Sequence, residues 1–130
     1  MAGQVPDNEI TRKADADLSA ATNRGRAIRL TANNGCALAN AIGGPAIGVL
    51  DNLPKAASAA RVITGGTAKV RAGAAIAVGD RIKSDVNGRL IPVGAEGAAT
   101  LIHVVGVAMQ AAAALDDIVE ARINPYSYVV

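Results

Sequence analysis

The sequence predicts a mainly β fold, a small β-barrel or β-sandwich with an extended N-terminal arm, and three observations carry that prediction. The stretch "KVRAGAAIAVGDRIKSDVNGRLIPV" places turn formers at Ala72-Gly73, Gly79-Asp80 and Asn87-Gly88, close to the roughly 8-to-12-residue rhythm of compact barrels and sandwiches. Between the turns, short runs alternate apolar and charged residues, as half-buried strands do. No segment sustains a helical repeat: the Ala-rich "AAAALDD" could make one turn or a loop, and a piece that short does not hold a helix on its own.

In chain order, residues 1–25 read as the arm. Gly3, Pro6 and charges of both signs surround isolated apolar residues, Val5, Ile10 and Leu18, too few to anchor the segment to a core of its own. An ordering surface outside the domain's core is therefore expected for it. Residues 26–130 read as one β-rich domain. "AIRLT" alternates, and Asn33, Asn34 and Gly35 after it offer the positive-φ residues of a tight turn. "GGPAIGVL" breaks and then makes a short strand, and "DNLPKAAS" is a loop because Pro54 disfavours a ladder. "RVITGGTAKVR" has the form of two strands joined by a Gly65-Gly66 hairpin, although that register sets Val62 opposite Lys69. "RIKSD" places Ile82 opposite in sense to Arg81 and Lys83. "TLIHVVGVAMQ" is apolar on both faces, as a central strand would be. "IVEARI" points Val119, Ala121 and Ile123 inward, Asn124-Pro125 closes the domain, and "YSYVV" is left as an apolar tail in need of a partner surface.

Composition limits the function. The 130 residues suit one domain. The apolar share of 51% lies in small aliphatic side chains, with no Phe or Trp and only Tyr126 and Tyr128 as aromatics. Each such side chain buries little area, and at about 25 cal/mol per Å² stabilises weakly, so association with other subunits or a larger surface is expected. Thirteen bases stand against eleven acids for a net charge of +2, and the bases are scattered; that is no nucleic-acid footprint. No run approaches the roughly 18 apolar residues of a membrane span, and the polar N-terminus lacks the apolar centre of a signal peptide. A soluble protein without a nucleic-acid or membrane partner is expected.

Candidate chemistry is sparse. His103 is the sole histidine and shares a face with Val105, Val107 and Met109, which reads as structural because a metal site needs several ligands. Cys36 falls in a presumed turn with no base beside it. Asp116, Asp117 and Glu120 form the densest acidic group but lack a ligand-loop spacing and read as a solvated strand entry. "GGPAIG" and "TGGT" lack the Lys and helix of a phosphate loop. Lys69, Arg71, Arg81, Lys83 and Arg89 alternate along strands and read as a solvated face, with a surface matching an acidic partner as the alternative. No catalytic, cofactor-binding or metal-binding residue is assigned, and no enzyme activity or cofactor is expected.

Taken together, "AKVRAGAAIAVGDRIKSDVNGRLIPV" and "VVGVAMQAAAALDDIVEARINP" resemble the tailed-phage capsid cement, or decoration, proteins of the DUF2190 type. The matching elements are a V-x-A-G-x-x-I-x-x-G-D-like turn over Val70 to Asp80, the Asn87-Gly88 hairpin, the Gly106 to Ala108 strand, the Ala111 to Ala114 linker and the strand from Asp117 to Ala121. Asp116-Asp117 departs from the Gly-Asp of that pattern. The resemblance implies a virion protein, made in the host cytoplasm, that sits on the outer surface of the capsid as a homo-oligomer, commonly a trimer, and clamps neighbouring major capsid protein subunits. Val5, Pro6 and Ile10 of the arm would then lie across capsid subunits, and Tyr126 and Tyr128 at a subunit or capsid interface. An alternative is a small β-domain that binds carbohydrate or carries a prosthetic group. The missing aromatic platforms and the lack of a hairpin-centred carrier Lys weigh against it.

Overall fold

The computed structural model describes residues 5–94 and 96–130, and the side chains from residue 8 onward. Nine strands form in chain order: β1 (Val5–Ala14), β2 (Ala27–Leu30), β3 (Gly35–Leu38), β4 (Gly48–Leu50), β5 (Ala59–Arg71), β6 (Arg81–Ser84), β7 (Leu90–Pro92), β8 (Leu101–Ala108) and β9 (Ile118–Val129). A 3-10 turn at Ala21–Asn23 is the one helical element among the described residues, so the mainly β expectation holds.

The strands lie in the order β1-β3-β2-β4-β5-β9-β8-β6-β7, and β1 also pairs with β5. That extra pairing closes β1, β3, β2, β4 and β5 into a five-stranded ring, antiparallel except for the parallel β1–β3 contact. β5 then continues into a second group with β9, β8, β6 and β7. A parallel bridge between Ala72 and Leu90 ties the far strand, β7, back to the end of β5. Closure and bridging hide most of the sheet edges that would otherwise recruit other chains.

Two apolar clusters make up the core, and the larger also draws Ala27 and Val49 from strands of the ring. Ala14, Leu18, Ile28, Cys36, Leu50, Ala60 and Val62 fill the ring. The larger cluster includes Ile63, Val70, Ile82, Leu90, Val105, Val119, Ala121 and Ile123. The largest fully buried side chains are Ile, Leu and Val, so the interior is as thin in aromatic area as the composition implies.

The N-terminal segment is extended, as expected of an arm, but the domain itself orders it. Glu9 to Lys13 pair with Ile63 to Ala59 of β5, and Ala14 and Leu18 enter the ring's core. Ile10, isolated in sequence, meets Val62 of β5, a partner some fifty positions away that no local pattern reveals.

Gly65-Gly66 is not a hairpin. β5 runs unbroken through it, and the glycines mark the point where the strand changes neighbours, from β4 at Val62 and Ile63 to β9 from Gly66 onward. Gly66 has φ +79, a conformation that strains any L side chain, and a Cβ on Gly65 would come within 3.1 Å of the Asn8 side chain. Asn8 itself lies at a register shift in β1. A two-glycine kink and a two-glycine turn have the same sequence signature, and the long-range pairing decides between them.

Asn124-Pro125 likewise does not end the domain. Val104 pairs with Tyr126 and Gly106 with Ile123, so Asn124 and Pro125 of β9 stand against Val105 alone. This bulge accommodates a proline without its N–H, and β9 continues, setting Tyr126 to Val129 against Val104 to Leu101. The apolar tail is thus half of a two-stranded ribbon. Cys36, placed by sequence in a turn, lies in β3 and is fully buried; burial first, then Asp15, pushes its thiol pKa up.

Candidate docking surface

The basic residues read as one solvated face separate into four settings. Lys69 is exposed on β5 and registers with Glu120 on β9. Arg71 and Arg89 are drawn inward around Asp116, with Arg89 Nε donating to its Oδ1 at 2.7 Å and Arg71 Nη1 3.9 Å from the same oxygen. Arg71 also donates to the carbonyls of Ala21 and Arg24, and Arg26 to those of Thr22 and Asn87. These guanidiniums stitch the segment before β2 to β5 and to the loop before β9. The Arg89 hydrogen bond holds the Asp116 carboxyl below its ordinary pKa, while burial and then the like charges of Arg89 and Arg71 lower that of Arg26. Asp117 accepts from the Ala113 and Ala114 N–H groups, so the acidic pair shapes the loop.

Lys83 departs furthest from expectation. It is buried, and its Nζ donates to Glu96 Oε1 at 2.5 Å, an oxygen that also accepts from the Gly94 N–H. Lys83 first, then Gly94, holds the Glu96 carboxyl below its ordinary value of 4.5. A depressed carboxyl pKa adds stability above the unfolded-state value, and that stability is lost as pH falls through the folded value. Glu96→Gln should therefore lower the melting temperature at neutral pH, and its gap from wild type should close as the pH drops below about 4.5. A gap independent of pH in thermal scans would contradict this role for the pair.

Arg81, by contrast, faces outward and meets both tyrosines. β6 and β9 flank β8, which lets the Arg81 side chain reach across to the ribbon. Its guanidinium carbon lies 5.1 Å from the Tyr128 ring centroid, within cation–π range, and Nη1 is 3.5 Å from the Tyr126 hydroxyl. The Tyr126 hydroxyl first, then Tyr128, raises the guanidinium pKa above its already high value. The two rings stack with centroids 6.3 Å apart and planes inclined by 29°. Tyr126 remains 42% exposed despite these contacts. The result is a preorganised aromatic and cationic face, the composition that interface centres favour.

Of the residues expected to touch a partner, Tyr126 and Tyr128 come together on this face. Ile10 is half-buried against the ring's core, so its packing has an internal reason. Val5 and Pro6 have backbone pairings with Thr67 and Gly66, and their side chains lie outside the described part of the structure. Arg81 escaped sequence reading because its role exists only once β8 separates β6 from β9. His103 is half-buried, and its backbone N–H donates to the Gly43 carbonyl. Among the described residues, no three His, Cys, Asp or Glu side chains gather as a metal site would require.

Chains of solved structures share this architecture. One is the head fiber gp8.5 N base of bacteriophage phi29, which aligns with a TM-score of 0.63 at 19% identity over 90% of this chain and 93% of that one. At that identity the likeness is one of fold, and it spans both the ring and the second strand group. No family model matches the chain, and no curated protein matches it.

Proposed function

We propose that the protein is a structural component of a phage head that docks on the outer surface of the capsid and bridges neighbouring major capsid protein subunits, without catalytic activity. The observation that carries this reading is the near full-length likeness to a head fiber base, reached independently of the cement-protein resemblance in the sequence. The Arg81–Tyr126–Tyr128 face is the surface proposed to meet the capsid, and the thin aliphatic interior supports a protein that gains stability from what it binds. The same likeness favours a second reading, in which the domain is the docking base of a head fiber and does not clamp the shell.

The test is co-sedimentation with heads of the parent phage that lack the protein. Saturable binding at a fixed number of copies per capsid subunit is expected. Arg81→Ala combined with Tyr126→Ala should cut occupancy at least about tenfold, the scale of losing a hot-spot contact, while circular dichroism stays that of wild type. No binding at any salt concentration would remove the proposal, and binding unaffected by the double variant would remove this face from it.

A further inference from the structure

We infer that the part of the capsid met by the Arg81–tyrosine face is acidic, and that Arg81 and Arg122 each take a carboxylate from it. This names the partner chemistry of the docking reading and rests on that reading.

The sheet places the two arginines together. Arg81 of β6 registers with Val107 of β8, and Val107 with Arg122 of β9. Directly paired residues of neighbouring strands project from the same face of a sheet. Their neighbours Ile82, Ala108, Ala121 and Ile123 are buried, so this row lies on the outer face, where Arg81 and Arg122 are exposed and Val107 is half-buried. Two strand spacings set the Cα atoms of the arginines roughly 10 Å apart.

Neither guanidinium has an acid of its own. Among the described residues, the ion pairs are made by Arg61, Arg71, Lys83 and Arg89, and neither Arg81 nor Arg122 enters one. Asp80, beside Arg81 in the chain, accepts from the Ala77 N–H at 2.9 Å through Oδ2. Glu120, two residues before Arg122, is set against Lys69. The row therefore carries two positive charges without an acidic partner in the described chain.

Arg81 is also held ready for one. Its guanidinium lies over the Tyr128 ring with Nη1 beside the Tyr126 hydroxyl. A planar guanidinium pinned on a ring presents its N–H groups to a carboxylate as a fixed fork, and less freedom is lost when the partner arrives.

Charge complementarity decides the occupant. A carboxylate completes each guanidinium, whereas a second copy docked by the same face would set arginine against arginine. Two arginines followed by the Lys69–Glu120 pair do not make the continuous basic stripe that nucleic acid needs.

The test is co-sedimentation of the full chain with heads lacking the protein, repeated at increasing salt. The wild-type Kd should rise at least about tenfold between roughly 50 and 500 mM NaCl, as screening weakens the charge pairs. At the lower salt, Arg122→Glu should raise Kd at least about tenfold with unchanged circular dichroism, and its gap from wild type should narrow at the higher salt. Arg122→Lys keeps the charge and should stay within about threefold of wild type. Wild-type binding indifferent to salt, Arg122→Glu as tight as wild type, or Arg122→Lys as weak as Arg122→Glu would overturn the inference while the docking reading stands. A wild type that binds heads at no salt concentration would remove the docking reading and this inference with it.

Discussion

Ile63→Ala is expected to cost about 2 to 5 kcal/mol, the range for emptying an Ile-sized site in a packed interior. Ile63 is fully buried, lies on the strand common to the ring and the second strand group, and pairs with Glu9 on one side and Val49 on the other. Its loss opens a cavity where both sheets depend on β5. In a domain whose whole margin is about 5 to 15 kcal/mol, the change should lower the melting temperature by roughly 10 °C or more. Denaturant unfolding with a loss below about 1 kcal/mol would show that β5 is not the shared spine described here.

Gly106→Ala should be at least as damaging, about 3 kcal/mol or more, because a Cβ there runs into the backbone carbonyl of Arg122 on the adjacent strand. Flexible side chains can yield to such a clash, whereas a carbonyl held in a ladder cannot. The position immediately precedes the pairing of Val107 with Arg122, so the substitution also pries at the bulge that launches the ribbon. Gly94→Ala is the control: nothing lies within 4 Å of the Cβ it would add, and its effect should stay within about 0.5 kcal/mol. Equal losses in the two variants, measured by thermal unfolding, would contradict the close approach of β8 and β9.

Much of this fold is readable from sequence where neighbours in the chain are neighbours in space. The β2–β3 hairpin follows from Asn34, whose φ is +59, and the β6–β7 hairpin from Gly88, at φ +81. Val119, Ala121 and Ile123 alternate inward as read. What escapes is set by distant partners: β1 as a wall of the ring, the glycine pair as a kink, Asn124-Pro125 as a bulge. Lys83 escapes for an electrostatic reason, since alternation with Ile82 marks it as solvent-facing and only Glu96 makes its burial tolerable. The candidate surface is half legible. Tyr126 and Tyr128 stand out as the only aromatics, but their partner Arg81 looks like any other strand cation until the sheet order is known.

The proposed bracing of a capsid is tested by the melting of phage heads lacking the protein as purified protein is added. A melting temperature that rises with occupancy and levels off when the sites are full is expected, because a ligand bound only to the intact shell stabilises it by linkage. Heads that bind the protein to saturation and melt unchanged would contradict the bracing role and leave the domain as a fiber base.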